Sequence, residues 1–225
     1  MRFFTEEFDR ELQLSSLLMV PLTREGWDEE LAFCREIGVD YEEQAHVSLA
    51  NSRKELLELL PEAMHPYVLD GTLNQPYAPP ELTRLLAEWR EDFERRRQEL
   101  GRAAREAYAS IREQLPASAR ELHEHSLHDA QFVSCSVLPG RQIELVLDTT
   151  TMGKAMAPPT RLLFSGVADS TIPGDLDRAY WYGEEFELSP AGFALSVLLQ
   201  KETGGFTELR IEAEQLELGW ADSGE

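Results

Sequence analysis

The sequence predicts an α+β protein in which an N-terminal helical region packs on a C-terminal antiparallel β-sheet or small sandwich. Apolar residues recur at helical spacing up to about residue 125, and beyond it they alternate with polar residues at strand spacing. A chain of 225 residues is long enough to bury two modest cores. We therefore expect a helical domain over 1–125 and an antiparallel β domain over 126–225.

The strongest helix signal lies over residues 81–115, where leucines, aromatic residues and alanines follow one stripe until a proline ends it. Another helix is predicted to begin after Thr5, whose hydroxyl suits the amino terminus of a helix. Two further helices are predicted over 26–37 and 40–60. The connection over 65–80 is rich in proline, which predicts an irregular chain.

After the histidine-rich run, the spacing of apolar residues changes to two, and about six strands are predicted. Hairpin turns are expected at residues 139–140 and 204–205, and a loop over 149–160. The strand after the second turn alternates apolar with charged residues, so one face of the sheet should meet solvent. The alternation shifts between Ala213 and Leu216, which predicts a bulge or a sharp bend.

The chain is strongly acidic, with 42 Asp and Glu against 21 Lys and Arg and a net charge of −21. Such a field repels phosphate backbones and anionic membranes, so we expect neither nucleic-acid nor membrane binding, and a protein partner should be basic. Cys34 and Cys135 are not spaced as a redox pair, which predicts reduced thiols. With no secretion signal and no apolar run of membrane-spanning length, the sequence predicts a cytoplasmic protein.

Four short motifs together resemble a known family. They are MRFFTE at residues 1–6, LHDA at 127–130, YWYGEE at 180–185 and ELRIEA at 208–213. Taken together, they resemble an uncharacterised bacterial family of acidic helical-plus-β proteins, described only as a domain of unknown function. The resemblance spans nearly the whole chain, and it implies an architecture and no activity.

Three of the five histidines lie close together at the junction between the helical and strand patterns. His123, His125 and His128, with Asp129, are of the residue types that bind zinc and similar ions. Their order is superficially similar to the His-x-His-x-Asp-His motif of the metallo-β-lactamases, but Leu127 stands where that motif has its aspartate. We interpret the run as a polar hinge, and a metal site as the alternative.

The sequence contains no complete catalytic set and predicts no cofactor, which favours a binding protein over an enzyme. Our leading hypothesis is a non-enzymatic protein-interaction module, and one specific form of it is an immunity-type protein that neutralises a toxin. The alternative is a metal-dependent hydrolase built on the histidine cluster, and a third hypothesis is self-association through the long helix. The predicted binding surface consists of His128, Asp129, Trp181, Tyr182, Glu184 and Glu185.

Overall fold

Helices occupy most of the first 124 residues in the computed structural model, which describes residues 1–150 and 160–220. The α-helices are α1 (Glu6–Ser15), α2 (Arg24–Glu36), α3 (Tyr41–Leu59), α4 (His65–Asp70), α5 (Pro80–Ile111) and α6 (Ala117–Glu124). None of the described helices is both long enough and apolar enough to cross a bilayer.

The strands follow the helices and form one antiparallel sheet. They are β1 (Gln131–Leu138), β2 (Gln142–Asp148), β3 (Arg161–Ser165), β4 (Asp169–Thr171), β5 (Tyr180–Ser189), β6 (Gly192–Gln200), β7 (Phe206–Ala213) and β8 (Gln215–Gly219). Their order across the sheet is β4-β7-β6-β5-β1-β2-β3-β8. This arrangement confirms the predicted α+β class.

The predicted helices over 26–37, 40–60 and 81–115 are confirmed as α2, α3 and α5. Each of the first two begins with a polar cap, because the first amides of a helix have no partner inside it. The Thr23 hydroxyl accepts from the amide of Gly26 at 3.1 Å, and the Asp40 carboxylate accepts from Glu43 at 3.1 Å.

The prediction of irregular chain over 65–80 is wrong for its first residues, which form the short helix α4. Pro66 lies in the first turn, where its missing N–H costs nothing. Val68 is buried in the helical core, and Gly71 ends the helix in the left-handed conformation at φ +86°. Packing of one apolar side chain therefore outweighs the turn-forming composition.

The chain divides into two compact units, residues 7–99 and residues 1–6 with 100–225. Helix α5 contributes to both units, so this division falls inside a helix. The domain boundary predicted after residue 125 stays a prediction. The helical unit has its own core, whose largest fully buried side chains are Trp27, Leu18, Leu56, Met64, Leu73, Leu82 and Leu86.

In the sheet unit the strands curl so that the two ends of the sheet approach each other. Strands β7 and β8 are consecutive and separated only by Glu214, yet they lie far apart in the strand order. The Glu214 amide donates to the carbonyl of Ser165 at 3.1 Å, and the rings of Phe164 and Phe193 lie 6.5 Å apart across the core. The bend predicted between Ala213 and Leu216 is confirmed.

The sheet has eight described strands, where about six were predicted. Strand β4 escaped prediction because its three residues are all exposed and show no apolar alternation. In β7, Leu209 and Ile211 are buried while Glu208 is exposed, which confirms one solvent-facing side there. The central strand β6 is buried on both faces. Most of the loop predicted over 149–160 lies outside the described residues.

Strands β1 and β5 are neighbours that barely overlap. Their ladder consists of the pair Gln131–Tyr180, which are the first residues of the two strands. Because the strands are antiparallel, they run away from this pair in opposite directions. Among the described strands, none pairs with β1 beyond Phe132 on the side that faces β5, and none pairs with β5 beyond Trp181 on the side that faces β1. The offset leaves two unpaired edges within one sheet.

Candidate functional site

His123 lies in the last turn of α6 and points toward the sheet. Its ring packs on Tyr108 with a centroid distance of 3.8 Å, and its Nδ1 is 3.6 Å from an oxygen of Glu184. The edge of Phe186 completes its surroundings at 6.1 Å. Burial raises the pKa of Tyr108, partly offset by Arg112, so its phenol keeps its proton at neutral pH.

His125 and His128 point elsewhere, because α6 ends at Glu124 and the chain turns before β1. The ring of His125 lies 5.0 Å from Trp220, and that of His128 lies 5.2 Å from Tyr182. His128 Nδ1 is also 3.1 Å from the carboxylate of Asp129. The three imidazoles of the run thus have three separate sets of neighbours.

The candidate ligands of the alternative metal site mostly lie apart from one another. Across residues 1–150 and 160–220, no three or more His, Cys, Asp or Glu side chains come together as a group that could hold an ion. Of the four candidate ligands His123, His125, His128 and Asp129, the structure brings together only His128 and Asp129. The metal site stays a prediction that the described residues do not support.

Trp181 lies where β1 and β5 separate, and it is completely buried in the sheet core. Its amide donates to the carbonyl of Ala130 at 2.8 Å, and its own carbonyl accepts from the amide of Asp129 at 2.9 Å. The indole Nε1 donates to Glu184 at 2.8 Å. Trp181 therefore fixes the junction between β1 and β5 and the position of the Glu184 carboxylate. Its buried ring is not accessible to a partner.

Glu185 is buried on the opposite face of β5 from Glu184, and its carboxylate binds backbone. It accepts from the amides of Arg2, Phe3 and Phe4 at 2.7, 2.8 and 2.8 Å. Three charge-assisted hydrogen bonds to consecutive amides make a strong anchor. They hold the N-terminal segment against the sheet, beside the salt bridge between the Met1 amino group and Glu208.

The six predicted binding residues thus lie in four places. His128, Asp129 and Tyr182 surround the turn before β1, and their rings and carboxylate are near one another. Trp181 lies in the core. Glu184 and Glu185 lie on opposite faces of β5. That these residues contact a partner stays a prediction.

A cavity of about 460 Å³ lies along the unpaired edge of β5. We call it the β5 groove, and it is lined by residues 2–4, by residues 104–111 of α5 and by Glu184–Leu188. Ala104, Ala107 and Ile111 face it at helical spacing, and their small or apolar side chains leave the space open. Sequence reasoning placed these alanines on a core stripe and missed the groove, since nothing local shows which part of a stripe is covered.

The lining of the β5 groove is predominantly acidic. It carries the carboxylates of Glu184, Glu185 and Glu187 against the single guanidinium of Arg2. The Glu185 carboxylate accepts hydrogen bonds from backbone amides, whereas Glu187 is on the exposed part of the strand and lies 3.7 Å from Arg210. A cavity of this size, with apolar walls and a few carboxylates, suits a segment that is partly apolar and partly basic.

Fold and site define an α+β protein whose curled sheet has an acidic groove along one strand edge. The chain belongs to the family described as a protein of unknown function, DUF4085, whose model matches residues 3–210. This confirms the resemblance to an uncharacterised family. Comparison with curated proteins and with solved structures finds no match.

Proposed function

We propose that this protein is a non-enzymatic interaction module that binds an extended, basic segment of a partner protein in the β5 groove. The observation that supports it is the coincidence of an unpaired strand edge with an acidic cavity. Strand edges present a row of unpaired N–H and C=O groups, and an added peptide strand can satisfy them.

The backbone of β5 would supply the affinity. Residues 183–189 pair with β6 on one side, and among the described residues no strand pairs with their other side. That length accommodates a strand of five to seven residues, which is about the usual length in globular proteins. The cavity lies along Glu184–Leu188, so the open space borders the same stretch of backbone.

The side chains of β5 would supply the specificity, because neighbouring residues of a strand point to opposite faces. On the inner face, Phe186 and Leu188 lie with the apolar residues of α5. On the outer face, Glu187 is exposed. A segment that alternates apolar residues with Lys or Arg places its apolar side chains against α5 and its charges beside Glu187.

The charge of the whole chain favours the same partner. A net charge of −21 attracts a basic protein over several ångströms and speeds the encounter, especially at low ionic strength. An immunity-type role, in which the bound segment belongs to a toxin, is one form of this proposal. No observation in the described residues favours the metal-dependent hydrolase.

Synthetic peptides test the proposal directly. A fluorescein-labelled peptide of alternating Lys and Val is titrated with the full chain, and binding is followed by fluorescence polarisation at low and high salt. We expect saturable binding that weakens as salt rises. Ala107→Trp fills the groove and should weaken binding about tenfold or more, which is about 1.4 kcal/mol.

Two controls separate the groove from general attraction to an acidic protein. Ala109→Trp places the same ring on an exposed position of α5 that does not line the cavity, and should bind like the parent chain. A peptide of equal composition with all its lysines at one end lacks the alternation and should bind more weakly. Equal binding of both peptides, or equal effects of the two tryptophans, would contradict the proposal.

A further inference from the structure

The second unpaired edge belongs to β1 and differs in chemistry from the β5 groove. Beyond Phe132, two valines of β1 are well exposed, Val133 at 61% and Val137 at 75%. Val133 is the extra residue of a bulge against β2, and regular pairing with β2 resumes at Ser134. Val137 pairs with buried Ile143 on β2, so it lies on the core face of the sheet at a point that nothing in the described chain covers.

The sequence along this edge reads the same in both directions. Residues 133–137 are Val-Ser-Cys-Ser-Val, centred on Cys135. Two antiparallel copies with a two-fold axis at Cys135 would therefore set Val133 opposite Val137 of the second copy and Ser134 opposite Ser136. A two-fold interface requires a self-complementary surface of this kind. Pairs of β-branched residues across strands are favourable, and hydroxyl pairs can hydrogen bond.

Charge also distinguishes this edge from the rest of the sheet. Of the described strands only β1 and β6 lack charged residues, and β6 is paired on both sides. Two chains of net charge −21 repel each other, so they can meet only where no carboxylates are brought together. The charged residues nearest β1 in sequence are Asp129 and Arg141, six positions to either side of Cys135. Both lie outside the strand: Asp129 precedes β1, and Arg141 follows the hairpin turn and donates to the carbonyls of Gly166 and Val167.

We propose that β1 binds β1 of a second copy of this chain, in antiparallel register about Cys135, and so joins two sheets into one. The proposal rests on the unpaired edge, the palindromic segment and the two exposed valines, and it does not depend on the function of the β5 groove. A single strand pair buries less than a standard protein interface, so the dimer is expected to be weak, in the micromolar to millimolar range.

Sedimentation of the full chain over that concentration range tests the association. We expect the parent chain to approach twice its mass of 25.6 kDa as concentration rises. Val137→Lys places a charge at both ends of the paired segment, and it should raise the dissociation constant about tenfold or more. Val47→Lys makes the same charge change at an exposed valine of α3 and should behave like the parent.

Cross-linking of the parent chain through its own Cys135 tests the register without any substitution. Directly opposite residues of antiparallel strands have Cα atoms about 4.5–5.5 Å apart, within the range of a disulfide. Diamide, which takes up the two protons and two electrons of a thiol pair, should therefore join Cys135 to Cys135 of the second copy. Peptide mapping identifies the joined residues, and Cys34, which is buried, should remain reduced.

A further cysteine pair checks the register in a Cys135→Ser background. Val133→Cys alone should give no disulfide-linked dimer, because the residues 133 of the two copies are separated by four positions along the paired strands. Val133→Cys together with Val137→Cys should give a disulfide-linked dimer, because residue 133 of one copy lies opposite residue 137 of the other. A chain that stays monomeric up to millimolar concentration, or that cross-links equally well through residue 133 alone, would overturn the proposal.

Discussion

The two unpaired edges of the sheet arise from one structural cause and differ in almost every chemical property. Both exist because β1 and β5 overlap only at Gln131 and Tyr180. The β5 edge has carboxylates, a cavity beside α5 and an anchored N-terminal segment. The β1 edge has no charge and exposes two valines. Strand offset creates the edges, and side chains decide which partner each edge accepts.

Natural sheets commonly protect such edges with charges, short strands or covering elements. The β5 edge has carboxylates and a helix nearby, which together restrict it to a partner of opposite charge. The β1 edge carries no charge of its own, and the features that oppose association there are the bulge at Val133 and the acidic charge of the rest of the chain. We therefore expect the two edges to respond to different perturbations.

The largest effect is expected at the junction that both edges share. Trp181→Ala removes a completely buried indole and should lower the free energy of unfolding by about 3–5 kcal/mol. Trp181→Phe keeps much of the volume but leaves Glu184 without its donor, and should cost about 1–2 kcal/mol. Urea unfolding measures both. If Trp181→Ala costs less than Trp181→Phe, the indole does not hold the junction.

The next effect should be confined to the side of the β5 groove. Glu185→Ala leaves three amides of residues 2–4 without their acceptor, and should cost about 2–3 kcal/mol because these bonds are charge-assisted. Glu187→Ala, two positions away on the same face, should change stability by less than about 0.5 kcal/mol. Hydrogen exchange should show faster exchange at residues 2–4 in the first variant alone. Equal costs would indicate that Glu185 is not an anchor.

A smaller effect distinguishes covered from uncovered parts of the β1–β2 hairpin. Val137 and Ile143 are cross-strand partners on one face, but only Ile143 is buried. Ile143→Val should cost about 0.5–1.5 kcal/mol, as for other buried methylenes. Val137→Ala, which removes more atoms, should cost less than about 0.5 kcal/mol in the monomer. The reverse order in dilute thermal unfolding would mean that something covers this edge.

The smallest effect concerns the chemistry of the thiol on the β1 edge. Burial raises the pKa of Cys135, so the reactive thiolate is scarce at neutral pH. Its rate of labelling by a thiol reagent should therefore keep rising with pH after that of free cysteine has levelled off. Self-association should slow the labelling further as protein concentration rises. A rate that is independent of concentration throughout would argue against pairing at this strand.

Much of the fold was predictable because it depends on local pattern. The stripe over 81–115 expresses a helix preference that is visible in residues three and four positions apart. The shift in apolar alternation after Ala213 likewise predicted the bend between β7 and β8. Helix α4 and strand β4 were missed, because the first depends on burial of Val68 in the core and the second has no apolar alternation.

The site was less predictable, because it depends on contacts between distant parts of the chain. The YWYGEE motif drew attention to residues 180–185, but it could not reveal that Trp181 is buried or that Glu185 binds the amides of residues 2–4. The offset between β1 and β5 is a property of pairing, so no local pattern indicates which part of either strand is unpaired. The alternation of VSCSV was visible, but the exposure of its valines was not.

Hydrogen exchange of the full chain tests most directly whether the two edges are independent binding surfaces. Amide exchange in residues 133–138 and 183–189 is compared at low and high protein concentration, with and without the Lys-Val peptide. Our account predicts that concentration slows exchange only in residues 133–138, and that the peptide slows it only in residues 183–189. Equal slowing of both segments in either experiment, or slowing of neither, would contradict it.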